Sequence, residues 1–344
     1  MKSLFYSTAL STGALAALTV AMALPAARAM AADAAPADVF EEVVVTAQKR
    51  AQNVQEVPLS VNVVSPAQLE AAGVVDFTDL GKVAPSLMIR NDVQPVNATV
   101  AIRGIGTFSF GIGVEPSVAV VVDDVPLAFQ ARAFTDLNDI ARIETLSGPQ
   151  STLYGKSASA GLINIVTEAP SGTWGGRFSA MGTTDKEANI GGSITGPITD
   201  TLSFRLTANY DNFPGNVFNA PTNKEVNGGT TFSARGKLNW TPTEDLSVDL
   251  SLDTLKGNNT EGRPYFLVSS NANLRGNAAY SPSVWAPGVT FSTDNTTTDE
   301  NYQTAFHDQE FGQAVKIAYD LGGPTLMSIT SPTADRLRRE KLIR

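Results

Sequence analysis

Between residues 174 and 330 apolar and polar positions alternate in run after run. Leu202, Phe204, Leu206, Ala208 and Tyr210 share one face of a segment whose other face holds Ser203, Arg205, Thr207 and Asn209. Leu246, Val248, Leu250 and Leu252 oppose Ser247, Asp249, Ser251 and Asp253 in the same way, and Phe232, Ala234, Leu238 and Trp240 oppose Ser233, Arg235, Lys237 and Asn239. A period of two is that of a β-strand with unlike faces. It predicts strands at 174–183, 188–198, 202–211, 231–241, 246–255, 311–320 and 325–330. Charges alternating with aliphatics suit strands with a lipid-facing outside and a watery inside, although a soluble β-sandwich alternates too. The connections have their own regularity. Segments 199–201, 242–245 and 321–324 are brief, whereas 212–230 and 256–310 are long and rich in Asn, Gly, Thr and Pro. Short turns at one end and long loops at the other are the asymmetry of outer-membrane barrels, with the short turns on the periplasmic side.

Residues 54–168 have a different grammar, that of a compact α+β domain. A strand at 58–64 precedes Ser65-Pro66-Ala67-Gln68, which offers an N-cap, a proline at the first helical position and a capping-box glutamine. Gly73 ends that helix, Asp76 caps a second helical turn over 77–83, and Pro85 stops it. Strands follow at 86–90, 99–103, 117–122, 142–146 and 162–167, with Asp123-Asp124 as turn residues and a Gly-, Ser- and Ala-rich passage at 148–161.

Ahead of this domain stands Glu41-Glu42-Val43-Val44-Val45-Thr46-Ala47, a β-prone run without an apolar flank, and so a strand without a sheet of its own. Such a segment can pair with the sheet edge of another protein, unless it is only a linker. Further upstream, a charge-free stretch over 3–24 and the small-x-small triplet Ala27-Arg28-Ala29 read as a cleaved secretory signal, with the mature chain starting near Met30.

Composition narrows the classes. The chain has 344 residues, no cysteine and a formal net charge of −9, which removes disulfides and argues against nucleic-acid binding. No apolar span after the leader is long enough for a transmembrane helix. A barrel is untouched by that test, since its strands need only about 10 residues each.

Catalytic chemistry finds little support. The single histidine, His307, falls in a polar segment expected to be a loop, so no His-based triad and no usual zinc cluster can be assembled. Gly155-Lys156-Ser157 imitates the end of a phosphate-binding loop, but Gln150 stands where that loop needs its first glycine. The small residues of 148–161 are expected instead to let backbone pass close to a neighbouring wall. Asp123-Asp124 could ligate a cation, yet adjacent acids at a strand end are ordinarily turn residues. The chain reads as a non-enzyme with no catalytic residue, no metal site and no cofactor.

The motifs resemble one family. Glu42-Val43-Val44-Val45-Thr46-Ala47 resembles a TonB box, and Arg103-Gly104-Ile105-Gly106 with Gly113-Val114-Glu115-Pro116-Ser117-Val118 resembles the middle of a TonB-dependent receptor plug. Leu146-Ser147-Gly148-Pro149-Gln150 through Asn164-Ile165-Val166-Thr167 is similar to the plug's closing signature. Two positions depart from the pattern: Asp124 stands where the family usually has glycine, and Ser147 where it commonly has arginine. Each bears on how the plug sits against its barrel.

The resemblance implies a signal peptide over 1–29, a periplasmic lead-in with the box over 30–53, a plug over 54–170 and barrel strands over 171–332, followed by an atypical basic, helix-leaning tail over 333–344. It implies uptake of a scarce nutrient, most often a ferric siderophore, across the outer membrane. The plug gates the barrel, and the periplasmic protein TonB pulls on Glu42, Val43, Val44, Val45, Thr46 and Ala47 after strand addition. Outer-membrane lipid, TonB and the siderophore are the expected partners, and no ligand-binding residue can be named. Seven strands are few, because plugged barrels have about 22 and a plug of this size has a radius of gyration of about 13 Å. The expectation is therefore a truncated chain. A fragment that binds TonB without transporting, or a receptor whose output is signalling, are the alternatives.

Overall fold

A computed structural model describes residues 4–6, 44–46, 49, 52–74, 77–90, 99–107, 115–127, 137–262, 264, 286 and 288–343. The Ala27-Arg28-Ala29 triplet, Glu42, Val43, Ala47, Asp76 and Gly113-Val114 lie outside them. The first strand, β1 (Leu4–Tyr6), pairs antiparallel with Met181, Gly182 and Thr183.

The valine run does have a sheet. Strands β2 (Val44–Val45) and β3 (Gln52–Asn53) pair antiparallel, Val44 opposite Asn53 and Val45 opposite Gln52. Val45 is only 2% exposed, whereas Val44 is 42% exposed. The expectation of a strand without a sheet is thus corrected: its partner is the downstream flank itself, whose polar Gln52 and Asn53 pair through main-chain groups that an apolar pattern does not reveal.

The next strand, β4 (Val61–Val64), leads into helix α1 (Pro66–Ala71), which starts as its sequence dictates. Ser65 Oγ accepts from the Gln68 N–H at 3.3 Å, and Gln68 Oε1 accepts from the Ser65 N–H at 2.9 Å. Two otherwise unpaired donors at the helix start are satisfied reciprocally. Gly73, at φ 61°, turns the chain away, and a 3-10 turn follows at Phe77–Lys82.

Strands β5 (Leu87–Arg90), β6 (Thr99–Ile102) and β7 (Ile105–Gly106) make a three-stranded sheet in that order. The larger plug sheet adds β8 (Val118–Val122), β9 (Val125–Pro126), β10 (Ile140–Ser147) and, after the short helix α2 (Ser151–Tyr154), β11 (Gly161–Thr167). Its order is β4-β10-β11-β8-β9, with β11 and β8 parallel. Phe77, Leu80, Ile102, Ile143, Ile163 and Ile165 fill the main core, and Leu146, Leu162 and Tyr154 belong to a smaller cluster with Ala119 and Val121.

The wall begins with β12 (Gly175–Thr183), β13 (Ala188–Thr199) and β14 (Leu202–Phe213). In the long connections, β15 (Val217–Asn219) and β16 (Lys224–Val226) precede β17 (Gly229–Thr243) and β18 (Leu246–Glu261), and β19 (Thr297–Thr298) pairs back on β15. Then come β20 (Tyr302–Asp320), β21 (Thr325–Thr330) and β22 (Thr333–Ile343). Every wall pairing from β12 to β22 is antiparallel, in the order β12-β13-β14-β17-β18-β20, with β21 on the end of β20 at Val315–Asp320 and β22 on its start at Tyr302–Gly312.

Two expectations change here. The basic stretch read as helix-leaning is a strand, because the long edge of β20 offers unpaired main-chain groups that override a weak local preference. The loop expected over 256–310 is shorter, since β18 reaches Glu261 and β20 begins at Tyr302, and His307 lies on a strand with its Nδ1 2.6 Å from Asn258 Oδ1. The alternation itself holds. Phe178, Ile190, Leu206, Tyr210, Trp240 and Ile317 stay exposed on one face, while Ser203, Asn209 and Ser233 are buried on the other. A sheet this apolar on its open side matches lipid and is costly in water.

Candidate functional site: the seat of the box and the plug–wall contacts

Among the described residues of the plug, Glu144 is the fully buried carboxylate, and it lies where the plug meets the valine strand. Both faces of β10 are covered from Ile143 to Leu146, and Glu144 is fully buried there. Its Oε1 accepts from the Thr46 N–H at 2.9 Å and from Arg142 Nε at 2.7 Å, with the Thr46 hydroxyl at 3.4 Å. Its Oε2 accepts from Asn164 Nδ2 at 3.1 Å, and Arg142 Nη2 donates to Thr46 Oγ1 at 2.8 Å. A buried carboxylate needs such partners. One of them is a main-chain donor of the predicted box. Of the six box residues, Val44, Val45 and Thr46 are therefore brought together on the plug: Val45 packed, Val44 open and Thr46 clasped.

The plug meets the wall through acids on turns and bases on strands. Asp139, at φ 57°, forms a bidentate pair with Arg205 of β14 and accepts from Thr207 Oγ1 at 2.6 Å. Asp123 accepts from the Thr167 N–H at 2.9 Å and from Thr167 Oγ1 at 2.6 Å, and pairs with Lys237 of β17 at 2.8 Å. Asp124 pairs with Lys316 of β20 at 2.7 Å and with Lys49 at 3.1 Å. The acids at 123 and 124 are turn residues, as expected, at φ 46° and 71°. Among the described residues no group of three or more His, Cys, Asp or Glu side chains could hold a metal. Arg205 and Lys237 were visible in the sequence as bases on the polar face, whereas Lys316 was not singled out, and nothing local identified their partners.

Burial alone would raise the Asp139 carboxyl. The Arg205 and Thr207 hydrogen bonds and the Arg205 charge outweigh it and hold the group below the ordinary 3.8. For Asp124, burial is likewise outweighed, here by Lys316 and Lys49. A carboxyl depressed in the folded state contributes stability that is present above the unfolded value and lost as pH falls through the folded value. Seating of the plug is therefore expected to weaken below pH 3.8. Urea midpoints of the native chain and of Asp139→Asn, measured from neutral pH downward, should converge in acid, because the variant lacks this titration. Parallel curves would refute it.

Between plug and wall lies a cavity of about 320 Å³. Thr46, Asp123, Asp124, Arg142 and Asn164 line it from the plug, and Lys237, Asp253, Glu310 and Lys316 from the wall.

An α+β body seated by ion pairs against the polar face of a lipid-suited antiparallel wall defines a plugged barrel of the outer-membrane class. Residues 53–162 match the family model described as the TonB-dependent Receptor Plug Domain. Over 194 residues, 55% of this chain, the sequence is 34% identical to the pesticin receptor of Yersinia pestis, and over 198 residues, 52% of the chain, it is 31% identical to the iron-regulated outer membrane virulence protein of Vibrio cholerae. The chain spans 28% of the length of each of these two curated relatives. Among solved structures, the ferric yersiniabactin uptake receptor FyuA from Yersinia pestis superposes with a TM-score of 0.68 at 23% identity, over 82% of this chain and 41% of that one. The alcaligin outer membrane receptor FauA from Bordetella pertussis does so with a TM-score of 0.61 at 16% identity, over 86% and 42%. The chain is thus similar to TonB-dependent receptors in its plug, and to solved outer-membrane uptake receptors in its fold.

Proposed function

We propose that the chain belongs to a transporter that takes ferric siderophores across the outer membrane, with the plug over 54–170 as gate, the strands over 171–332 as barrel wall and Glu42–Ala47 as the box pulled by TonB. Export through a cleaved leader over 1–29 belongs to the same reading. The observation that carries it is the way the valine strand is held. Among the described residues it pairs with the two-residue β3, and Thr46 is fastened by Glu144 and Arg142, so it can be removed without taking apart the five-stranded sheet. A handle built in that way suits strand addition by a partner. The names of the relatives, which include a ferric yersiniabactin uptake receptor, support an iron chelate as cargo.

The test is capture of the full chain by the carboxyl-terminal domain of TonB, with Val44→Pro as comparison. Proline removes a ladder donor from the exposed half of β2, and a loss of at least about tenfold in capture is expected, equivalent to about 1.4 kcal/mol. Equal capture of both proteins would overturn the assignment of the box.

A further inference from the structure

We infer that Asp124 is a positioning residue that ties the box to the barrel wall, so that docking of the box and seating of the plug are one coupled event. The inference rests on reading Glu42–Ala47 as the TonB box and extends it to how that box is regulated.

Three segments far apart in sequence converge on one carboxylate. Lys49 Nζ lies 3.1 Å from Asp124 Oδ1 and 3.3 Å from the Asp124 carbonyl oxygen, and Lys316 Nζ lies 2.7 Å from Oδ2. Each carboxylate oxygen thus takes one lysine, and the acid is a bridge between them. The side chains are 27%, 17% and 30% exposed for Lys49, Asp124 and Lys316, so the contacts are partly withdrawn from solvent. Such pairs interact more strongly than fully solvated ones. Lys49 is fixed from a second side, with its ammonium 4.6 Å from the centroid of the Tyr154 ring. Its own N–H bonds the Thr46 carbonyl at 2.8 Å, which ties it directly to the box.

The backbone points the same way. Asp124 sits at φ 71°, a conformation glycine adopts freely and a residue with a Cβ adopts at a cost. The turn has no need of this side chain, since Asp123 alone reaches Thr167 and Lys237. What the Asp124 side chain adds is the bridge between Lys49 and Lys316. A strand that captures the box must separate Lys49 from Asp124 and leave the acid on Lys316 alone. By reciprocity, if release of Lys49 weakens the hold of Asp124 on Lys316, loosening Asp124 from Lys316 weakens its hold on Lys49 to the same degree.

The experiment measures capture of the full-length chain by immobilised carboxyl-terminal TonB domain, without siderophore, at about 0.05 M and 0.5 M salt. Asp124→Gly relieves the positive φ, so folding is retained. At low salt it should be captured about fivefold better than the native chain, in line with a partly buried pair. The native chain should approach it at high salt, while Asp124→Gly stays level. Lys49→Met should behave as Asp124→Gly does, and Lys49→Arg should restore the native response, a rescue that loss of packing would not produce. If Val44→Pro abolishes capture and Asp124→Gly matches the native chain at both salts, the coupling is overturned while the box stands. If Val44→Pro is captured normally, the box falls and the coupling falls with it.

Discussion

Glu144→Ala is expected to destabilise the plug by about 3 kcal/mol or more, the range seen when one partner of a buried ion pair is removed. The loss has three parts. Arg142 keeps its charge but loses the acceptor of its Nε, the Thr46 N–H loses its only described acceptor, and Asn164 Nδ2 is left bare. Asn164 makes the deficit severe. It is 2% exposed and its Oδ1 has no partner among the described residues, so removing Glu144 leaves both ends of a buried amide without a described partner. Each unsatisfied buried group costs about 1–3 kcal/mol. Glu144→Leu combined with Arg142→Met removes both charges and should recover only the part of the loss that comes from the unpaired Arg142, because the Thr46 N–H and Asn164 Nδ2 still lack their acceptor. Urea unfolding of the full chain in detergent, followed by resistance of the plug to protease, is the measurement. A midpoint shift worth less than about 1 kcal/mol for Glu144→Ala would show that the clasp is only incidental to plug stability.

Gly161→Val should be comparably severe, for a steric reason. A Cβ at Gly161 would lie 2.5 Å from Ile102 Cδ1 and 2.5 Å from the Leu146 carbonyl oxygen. Ile102 and Leu146 are 1% and 0% exposed, and the carbonyl belongs to a paired strand, so neither can retreat cheaply. Overpacking of this kind costs about 1–3 kcal/mol from strain alone, and the β-branched valine adds further bulk at the start of β11. The variant is expected to lose the protease-resistant plug at a urea concentration the native chain tolerates. Gly161→Ala should fall between them. Equal resistance of all three proteins would mean that the sheet can shift at its β10–β11 seam.

Gly161 also separates two roles that glycine plays in the same passage. Small residues over 148–161 were expected to let backbone pass close to a neighbouring wall; at Gly161 the close neighbours are Ile102 and Leu146 of the plug itself. At Gly148 and Gly155 a Cβ would meet nothing within 4 Å. Those two are needed for their positive φ, 95° and 77°, which turns the chain around α2. The sequence shows the glycines alike; only the fold distinguishes crowding from conformation.

Much of the architecture is local in origin and was legible for that reason. The α1 start is written in Ser65-Pro66-Ala67-Gln68, and its hydrogen bonds complete within four residues. Wall strands follow from a period of two, which survives any error in their ends because the face assignment repeats every second residue. Their lengths did not follow. β20 reaches back to Tyr302 and the basic tail joins it as β22, since an unpaired edge recruits backbone almost regardless of side chains. Charge patterning likewise put Arg205 and Lys237 on the polar face.

What the chain alone determined is therefore the set of local elements, the two faces of the wall, the two-body organisation and the β-prone run that resembles a box. What only the tertiary structure decided is where those pieces touch: Glu144 under Thr46, Asp139 on Arg205, and Asp124 between Lys49 and Lys316 across 75 and 192 residues. Contacts inside a helix turn or along one strand face are set by bond geometry and repeat in sequence. Ion pairs between a plug turn and a wall strand depend on how two bodies close on each other, and one dimension carries no period for that.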